Sequence, residues 1–575
     1  MPVDSQVPDF LVRLWELLTF WRYPPPAIPT MRLKPAGDDG DNALMMQFFT
    51  WEATHPEMSW WRHFETEVPT LAAMGITQVW LPPPNKAMRK QGQGYDAYDL
   101  WDLGEFYQKS TIPTRWGTKE ELVRAVAAAR AHGIDVLVDA VLNHKLGADR
   151  PEKFMATMVD PDNRLVDLGP PKEIEASRAC CYESHSHANL ILGLDRSQYS
   201  SMKWTHEHFT GLDWDHRTRT KGVYRITSDK HKGWSKWVDS ENGNYDYLLG
   251  IDIDHRHPDV RQDLLEWGSW VLKTTGGAGF RFDAIKHMDR RFLLSFIKHV
   301  RQTLGRDDLF SVAEYWSSDL ELIKPYIRVF EGLVTFFDVP LHYNFHNASK
   351  AGSAYDLRRL LDGSVLQFRP DDAVTFVDNH DTPPGSSDAS QVGPNFKLQA
   401  YAVILLYGSG QPCVFYGDLY PNKEPECYDP DTAAGVKRLI AARRLFAYGA
   451  RTDCLRAERN CVGFVRAGAP APADGQGKRA RPGCVVLISN ADAPAVPEAA
   501  GATSGAAAEG EQKHTIRVSV GSANAGATYR AYAPVSSHDE MVRVDGDGWG
   551  AFTCPHGGLR VWVREEDLPE EPESA

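Results

Sequence analysis

The stretch GFRFDAIKH, residues 279–287, begins like a buried strand and ends with an ionisable group at almost every step. Phe280 and Phe282 alternate with Arg281 and Asp283, which is the pattern of a half-buried strand with one polar face. Read alone, the segment fits either a structural ion pair between Arg281 and Asp283 or a functional site. The other segments of the chain decide between these two interpretations.

Seven further strand-like runs accompany this one, and helical patterns such as ELVRAVAAARAHG separate most of them. The eight strand–helix units predict an α/β fold, a closed parallel (β/α)8 TIM barrel. In chain order the other seven runs are LMMQFF, ITQVWLP, DVLVDAVLNH, LFSVAEYW, LVTFFDVP, AVTFVDNH and PCVFYGD.

The sequence pattern changes outside these strand–helix units. About a hundred residues separate the third strand from the next helix, which predicts an inserted subdomain. Short β-like runs near the end, such as CVVLIS and TIRVSV, predict a C-terminal antiparallel β-sandwich. The predicted parts are an N-terminal extension (1–42), the barrel (43–144 and 250–431), the inserted subdomain (145–249), the β-sandwich (432–565) and an acidic tail (566–575).

Residues 8–22, PDFLVRLWELLTFWR, predict a short amphipathic helix, because apolar residues recur at helical spacing. Pro24, Pro25 and Pro26 end it. We expect this helix to pack on the body of the protein. Docking on a membrane surface or on a partner protein is the alternative.

The composition indicates an ordinary globular protein of 575 residues, with 42% hydrophobic and 24% charged residues. A formal net charge of −14 argues against a nucleic-acid partner. The N-terminus has no basic segment before its apolar stretch, which Arg13 and Glu16 interrupt. We therefore expect a cytoplasmic monomer, with most of the eight cysteines reduced.

Ionisable residues stand at the C-terminal ends of four predicted strands, where a barrel of this kind carries its active site. Structural ion pairs seldom collect at the same end of so many strands, so a convergent site is the better explanation. The residues are Asp139, Asn143 and His144 after the third strand, Arg281 and Asp283 on the fourth, Glu314 after the fifth, and His380 and Asp381 after the seventh.

Two carboxylates are what a retaining glycosidase needs, one to attack the anomeric carbon and one to donate and withdraw a proton. Arg281 lies two residues before Asp283, on the same face of the strand, and its charge favours an ionised nucleophile. Glu314 stands beside Tyr315 and Trp316, whose apolar rings raise a carboxyl pKa. These residues predict glycoside chemistry.

Four segments resemble, in order and rough spacing, the four signature regions of the α-amylase family, glycoside hydrolase family thirteen: DAVLNH, GFRFDAIKH, AEYW and FVDNHD. The likeness runs from about residue 43 to the C-terminal sandwich. Three flanking segments resemble the liquefying α-amylases of bacteria and their intracellular fungal relatives more narrowly: GYDAYDLWDLGEF, GNYDYLLGIDID and FDVPLHYNFH.

The resemblance implies a catalytic role for three residues: Asp283 as nucleophile, Glu314 as general acid/base and Asp381 as transition-state stabiliser. It also implies an α-glucan or maltooligosaccharide substrate. The substrate-binding residues that it implies are Tyr95, His144, Arg281, Lys286, His287 and His380.

The resemblance further implies a calcium ion, held by Asn143, Asp246, Asp252 and the carbonyl of His287, since a hard cation takes oxygen ligands. Each of the three polar side chains could instead cap a loop. Ser201, Ser235 and Arg256 stand where bacterial liquefying enzymes carry further acidic ligands. We therefore expect one calcium and no larger metal cluster.

We predict a retaining, endo-acting α-amylase that hydrolyses α-1,4 bonds in starch- or glycogen-type glucans. Two alternatives remain at this stage. One is an intracellular α-glucan transglycosylase that supports cell-wall glucan synthesis, and the other is a glucan-binding protein without catalysis. The segment CCYESHSH, residues 180–187, resembles a zinc site only loosely, because its adjacent cysteines lack the usual spacer.

Overall fold

The structure, a computed structural model, describes residues 42–176, 195–227, 233–424, 426–454, 458–470, 480–492, 512–534 and 540–569. The predicted N-terminal helix over residues 8–22 lies outside the described residues, as does the CCYESHSH segment. Within the described ranges no helix is both long enough and apolar enough to cross a bilayer.

Eight parallel strands close into a barrel in chain order, and β8 pairs with β1. Each of the eight predicted runs supplies one strand, so the predicted barrel is confirmed. The strands are β1 Met45–Gln47, β2 Gln78–Trp80, β3 Asp135–Ala140, β4 Gly279–Phe282, β5 Phe310–Ala313, β6 Thr335–Phe337, β7 Ala373–Phe376 and β8 Gln411–Phe415.

One long helix follows each strand along the chain. Thr118 and Glu121 form a capping box that begins the second helix, and Gly305 in the left-handed conformation ends the fourth. The helices are α1 Trp60–Met74, α2 Lys119–Ala131, α3 Pro258–Thr275, α4 Arg290–Leu304, α5 Leu320–Phe330, α6 Val339–Ala351, α7 Pro394–Leu406 and α8 Pro430–Phe446.

The last helix, α8, spans residue 432, at which the sequence predicts the start of the C-terminal domain. Asp429 caps it, Pro430 occupies its first turn, and Val436, Leu439 and Ile440 are buried. The helix packs against α7 and α1. The segment up to Phe446 therefore completes the barrel, because the eighth strand needs a covering helix like the other seven.

A six-stranded antiparallel sheet forms the core of the inserted region between β3 and α3. One edge of this sheet is formed by the strand that follows β3 and the strand that precedes α3, so that edge lies where the insertion leaves and rejoins the barrel. In spatial order the strands are His144–Lys145, Ile251–Ile253, Phe209–Asp215, Thr220–Ile226, Glu152–Val159 and Lys172–Ala176.

The C-terminal region contains an antiparallel six-stranded sheet and an antiparallel two-stranded sheet. Val485 and Trp562 of the first sheet share one buried cluster with Ile516 and Phe552 of the second, as in a β-sandwich. The six strands are, in spatial order, Arg451–Asp453, Cys461–Arg466, Cys484–Ser489, Leu559–Arg564, Thr528–Ala533 and Met541–Arg543. The two-stranded sheet pairs Lys513–Ser519 with Trp549–Pro555.

Strand β4 is buried on both faces, which differs from the half-buried pattern that its alternation predicts. Phe280 and Phe282 pack outwards on Phe296 of α4. Arg281 is fully buried on the other face of the strand. In a closed barrel the inner face of a strand meets the other strands instead of water, so a polar residue there needs partners within the protein.

At Gly279 the backbones of two neighbouring barrel strands approach closely. A Cβ atom at this position would lie 1.8 Å from the carbonyl oxygen of Phe310 in β5. We expect Gly279→Ala to lower the free energy of unfolding by about 3 kcal/mol or more, because the strands must separate to admit the methyl group.

Thermal or denaturant melting of the two proteins measures this difference. The matched control is Gly169→Ala, at a position where a Cβ would meet no heavy atom within 4 Å. The control should change the free energy of unfolding by no more than about 1 kcal/mol. Equal melting curves for the two variants would contradict the prediction.

Candidate active site

The C-terminal ends of β3, β4 and β5 are held in register by backbone hydrogen bonds. The Asp283 N–H donates to the Ala140 carbonyl at 3.2 Å, and the Glu314 N–H donates to the Phe282 carbonyl at 3.0 Å. Asp283 and Glu314 are thus the first residues beyond two adjacent strands. This arrangement places the two carboxylates side by side at the mouth of the barrel.

The guanidinium of Arg281 joins three carboxylates. Its Nη1 lies 2.9 Å from Asp139 Oδ1 and 2.8 Å from Asp283 Oδ1, and its Nη2 lies 2.8 Å from Glu314 Oε2. Arg281 and Asp139 are fully buried, whereas Asp283 and Glu314 are each 8% exposed. The arginine therefore fixes the two outer carboxylates from below while leaving them open to a ligand.

The carboxyl group of Glu314 is buried, and burial is the largest cause that raises its pKa from 4.5 to about 7. The charges of Asp283 and Asp139 act in the same direction, while Arg281 opposes them. Burial likewise raises the pKa of Asp381 well above its usual range, and the charge of Glu314 adds to the effect. Glu314 can therefore hold a proton near neutral pH.

The residue between β4 and its following turn has an unusual backbone. Ala284 has φ 49° and ψ 42°, in the left-handed region that residues with a Cβ seldom occupy. Its N–H donates to Glu314 Oε2 at 3.1 Å. Backbone strain of this kind concentrates at functional sites, and here it turns an N–H towards the second carboxylate.

His380 and Asp381 face the same space from the end of β7. Gln47 Nε2 donates to His380 Nδ1 at 3.0 Å, so the proton of the neutral ring is on Nε2, which lies 3.2 Å from Asp381 Oδ2. Burial lowers the pKa of His380 well below its usual value, which keeps the ring neutral. The neutral ring thus places its Nε2–H beside the Asp381 carboxyl group.

Aromatic rings form one wall of the site. The Tyr95 ring stacks on His380 at 5.1 Å and on Trp51 at 5.7 Å, and its hydroxyl donates to Asp139 Oδ2 at 2.7 Å. The His144 Nε2 lies 2.8 Å from the Tyr95 carbonyl. The buried His144 Nδ1 has no hydrogen-bond partner among the described residues, so it is free to accept from a ligand.

Lys286 and His287 lie where the inserted region meets the barrel. Lys286 Nζ donates to Glu241 Oε2 and to the Trp316 carbonyl, both at 3.2 Å. His287 Nδ1 lies 2.7 Å from the Tyr245 carbonyl. The inserted region therefore forms part of the cleft, to which it contributes Tyr245, Leu248 and Leu249.

These side chains surround one cleft with a volume of about 380 Å³. It brings together eight of the nine residues predicted as catalytic or substrate-binding, while the ninth, Arg281, lies beneath it. The eight are Asp283, Glu314, Asp381, Tyr95, His144, Lys286, His287 and His380.

Several other residues that line the cleft were not predicted from the sequence. Trp51 lies four residues beyond β1, and Leu248 and Leu249 follow the aspartate of the GNYDYLLG motif. A position just after a barrel strand was the available signal for Trp51. Trp316 and Asp388 also line the cleft. Asp139, which the sequence already places at the strand ends, belongs to the site as the partner of Arg281 and Tyr95.

The predicted calcium ligands Asn143, Asp246 and Asp252 meet beside the cleft, and all are buried. Asn143 Nδ2 donates to Asp252 Oδ1 at 3.3 Å, while Asn143 Oδ1 has no hydrogen-bond partner among the described residues. Burial raises the pKa of Asp246 to about 7, and burial and the charge of Asp246 raise that of Asp252. An orphaned oxygen beside two buried carboxylates fits a hard cation.

Arg256 and Ser235, at two of the places predicted to lack acidic ligands, have protein partners. Arg256 forms an ion pair with Asp254 at 2.7 Å and donates to the carbonyl of Trp234 at 2.9 Å and to that of Gly233. Ser235 Oγ lies 3.2 Å from Asp289 Oδ2. The arginine thus brings a fixed positive charge to this region.

A further group, His208, His257 and Asp259, places potential ligand atoms within 4.8 Å of one another. The Thr205 N–H donates to His208 Nδ1 at 2.8 Å. Burial lowers the pKa of His208, so the ring is neutral and its proton is on Nε2. Neither nitrogen then offers a lone pair, and we assign no metal to this group.

A pair of carboxylates at the mouth of a closed barrel supplies the two groups that a retaining glycoside hydrolase requires. Residues 66–435 match the family model described as the catalytic domain of alpha amylase. The chain belongs to the α-amylase family. This result confirms the resemblance that the four signature segments indicate.

Similar proteins support the same assignment over most of the chain. The α-amylase of Bacillus licheniformis is 38% identical over 524 residues, which is 91% of this chain and 94% of that protein. The cytoplasmic α-amylase of Escherichia coli is 35% identical over 91% of this chain and 99% of its own length. The crystal structure of the Geobacillus thermoleovorans α-amylase complexed with acarbose shares the fold, with a TM-score of 0.55 and 17% identity over 92% of this chain and 99% of that one.

The raised pKa of Glu314 has a consequence for stability. A carboxyl whose folded pKa of about 7 exceeds its ordinary value of 4.5 destabilises the fold progressively as the pH rises between those values. Gln cannot ionise, so the variant escapes this destabilisation. We therefore expect the free energy of unfolding of Glu314→Gln, relative to that of the wild type, to increase by about 1–3 kcal/mol as the pH rises through this window.

Denaturant melts at several pH values measure this gain. The control is Glu57→Gln, because Glu57 is exposed on the surface. The pH-dependent gain of Glu314→Gln should exceed any change seen in this control. A difference for Glu314→Gln that stays constant with pH would show that its carboxyl is not destabilised by burial.

Proposed function

We propose that the protein is a retaining, endo-acting α-amylase that hydrolyses α-1,4 bonds in starch- or glycogen-type glucans. The observation that carries this proposal is the pair of carboxylates, Asp283 and Glu314, fixed on one guanidinium at the ends of adjacent strands. The α-amylases of similar sequence support the reaction and the substrate class.

In the first step Asp283 attacks the anomeric carbon while Glu314 gives its proton to the leaving glycosidic oxygen. Arg281 stabilises the carboxylate of Asp283, and burial keeps the proton on Glu314 near neutral pH. In the second step Glu314 takes a proton from water, and the water oxygen attacks the anomeric carbon. The bond between that carbon and Asp283 breaks, which frees the Asp283 carboxylate.

Asp381 and the aromatic wall bind the sugar whose bond is cleaved. Asp381, held by His380, accepts hydrogen bonds from sugar hydroxyls that strengthen as the ring distorts. Tyr95 offers an apolar ring to the sugar face, and His144 Nδ1 accepts from a hydroxyl. On the other side of the scissile bond, Lys286 and His287 contact the leaving chain.

We infer that Asn143, Asp246, Asp252 and the carbonyl of His287 hold one calcium ion. The ion would neutralise buried carboxylates and tie the inserted region to the barrel, and it would supply no chemistry to the cleaved bond. The positive charge of Arg256 and its contacts with Gly233 and Trp234 support a single ion instead of a cluster.

A cytoplasmic location also belongs to this proposal. One similar protein is named a cytoplasmic α-amylase, and the six described cysteines are free thiols. A monomeric state and a docking role for residues 8–22 stay predictions.

A time course of products from maltoheptaose tests the function. We expect only shorter oligomers, released from internal bonds, and we expect Asp283→Asn to lower kcat by about 10⁴-fold or more because the nucleophile is lost. Retained binding of maltoheptaose by this variant shows that the cleft is intact.

Three outcomes of the same assay would change the proposal. Products longer than the substrate would favour a transglycosylase, in which a second sugar replaces water. Unchanged turnover by Asp283→Asn would overturn the assigned nucleophile. Binding without turnover in the wild type would indicate a glucan-binding protein.

Metal analysis tests the calcium site. After dialysis against calcium and then metal-free buffer, we expect one tightly held calcium per chain and a lower melting temperature once a chelator removes it. Asp252→Asn should weaken calcium binding by about 10-fold or more, since it removes a charged ligand. Two or more tightly held ions per chain would contradict the role given to Arg256.

A further inference from the structure

A buried charge cluster that takes no part in the proposed chemistry lies behind the turn that carries Asp381. Lys397 of α7 is 3% exposed, and its Nζ lies 2.9 Å from Asp378 Oδ2 and 2.6 Å from Asp418 Oδ1. Tyr401, one helical turn further on, donates its hydroxyl to Asp418 Oδ2 at 2.5 Å. The lysine thus joins the turn after β7 to the segment after β8.

Asp378 connects this cluster to Asp381. Its Oδ1 accepts hydrogen bonds from Thr382 Oγ1 at 3.0 Å and from the Val392 N–H at 3.1 Å. The Asn379 N–H donates to Thr382 Oγ1 at 3.2 Å, and Asn379 Oδ1 accepts from the Asp381 N–H at 2.8 Å. Thr382, after Asp381, is thus bonded to Asp378 and to Asn379, and Asn379, before Asp381, is bonded to the Asp381 backbone. Asp381 is therefore held from both sides by residues that depend on the position of Asp378.

The charge of Lys397 is what permits this arrangement. Asp378 and Asp418 are both buried, and two buried carboxylates without a cation between them repel each other and lose their solvation. Without the lysine charge, this repulsion can be relieved by movement of Asp378, whose carboxylate accepts the hydrogen bonds that hold the turn. A small movement there would be passed on to Asp381 and to His380 between them.

We propose that Lys397 is a positioning residue that holds Asp381 in its reactive place through Asp378 and Thr382. This inference rests on the proposed function, which makes Asp381 a transition-state contact. Lys397 does not line the cleft, so it acts through the turn and not by touching the sugar.

The experiment is a double-mutant cycle on maltoheptaose hydrolysis with Lys397→Met, Asp381→Asn and the double variant. We expect Lys397→Met to lower kcat by about 10–100-fold with little change in KM, as for a displaced catalytic group. We expect Asp381→Asn to lower kcat by about 100-fold or more. In the Asp381→Asn background, Lys397→Met should cost no more than about 2-fold.

Two further variants separate positioning from folding. Thr382→Val cuts the link between Asp378 and the turn with little change of shape, and it should repeat the kcat loss and the non-additivity even if Lys397→Met folds poorly. Arg443→Met removes a buried cation at the opposite end of the barrel, where Arg443 donates to the Ala43 carbonyl at 2.9 Å. It should lower the melting temperature and leave kcat unchanged.

The outcomes separate the proposed role of Asp381 from the positioning role of Lys397. Full activity of Asp381→Asn would overturn the proposed role of Asp381 itself. A large loss in Asp381→Asn together with normal kcat in folded Lys397→Met and in Thr382→Val would overturn the positioning role alone. Losses that multiply in the double variant would also overturn it, because they would show that Lys397 acts independently of Asp381.

Discussion

The active end of the barrel depends on one interaction, the contact of the buried Arg281 guanidinium with Asp139, Asp283 and Glu314. A planar cation with several donors can satisfy several carboxylates at once, which a lysine cannot do with the same geometry. The guanidinium carbon lies 4.6 Å from the centre of the Trp80 ring and 5.6 Å from that of Tyr95, so the two rings complete its surroundings. Removing any one partner would leave an uncompensated charge inside the barrel, where water cannot solvate it.

The same burial sets the protonation of Glu314. Its carboxylate lies 2.8 Å from the Arg281 guanidinium, yet desolvation raises its pKa to about 7. Burial also keeps His144 and His380 neutral, so both rings offer directed hydrogen bonds instead of positive charge. The site is therefore organised by how deeply each group lies and by which groups it faces.

Around this centre, two cations tie separate segments of the chain together. Arg256 joins the inserted region to the segment that leads into α3, and Lys397 joins the turns after β7 and β8. Lys397 is held by carboxylates from two other segments, whereas Arg256 pairs with the nearby Asp254 and donates to carbonyls of the inserted region. Removing either cation would leave buried negative charge, because Asp254, Asp378 and Asp418 are all buried. Such networks fix the geometry of a site more than they add to net stability.

The sequence by itself determined the barrel and the order of its strands, because alternating side chains and charged strand ends are local patterns. The eight predicted cleft residues came from those strand ends together with the resemblance of four segments to the α-amylase family. Only the tertiary structure decided what those residues touch. Arg281 and Asp139 are 142 positions apart, and no local pattern reports that the arginine is buried between carboxylates. The left-handed backbone of Ala284, the cleft wall of Trp51 and Leu249, and the pairing of Lys397 likewise arise from packing between distant segments. The physical reason is that burial and charge pairing depend on neighbours in space, which closure of the barrel brings together.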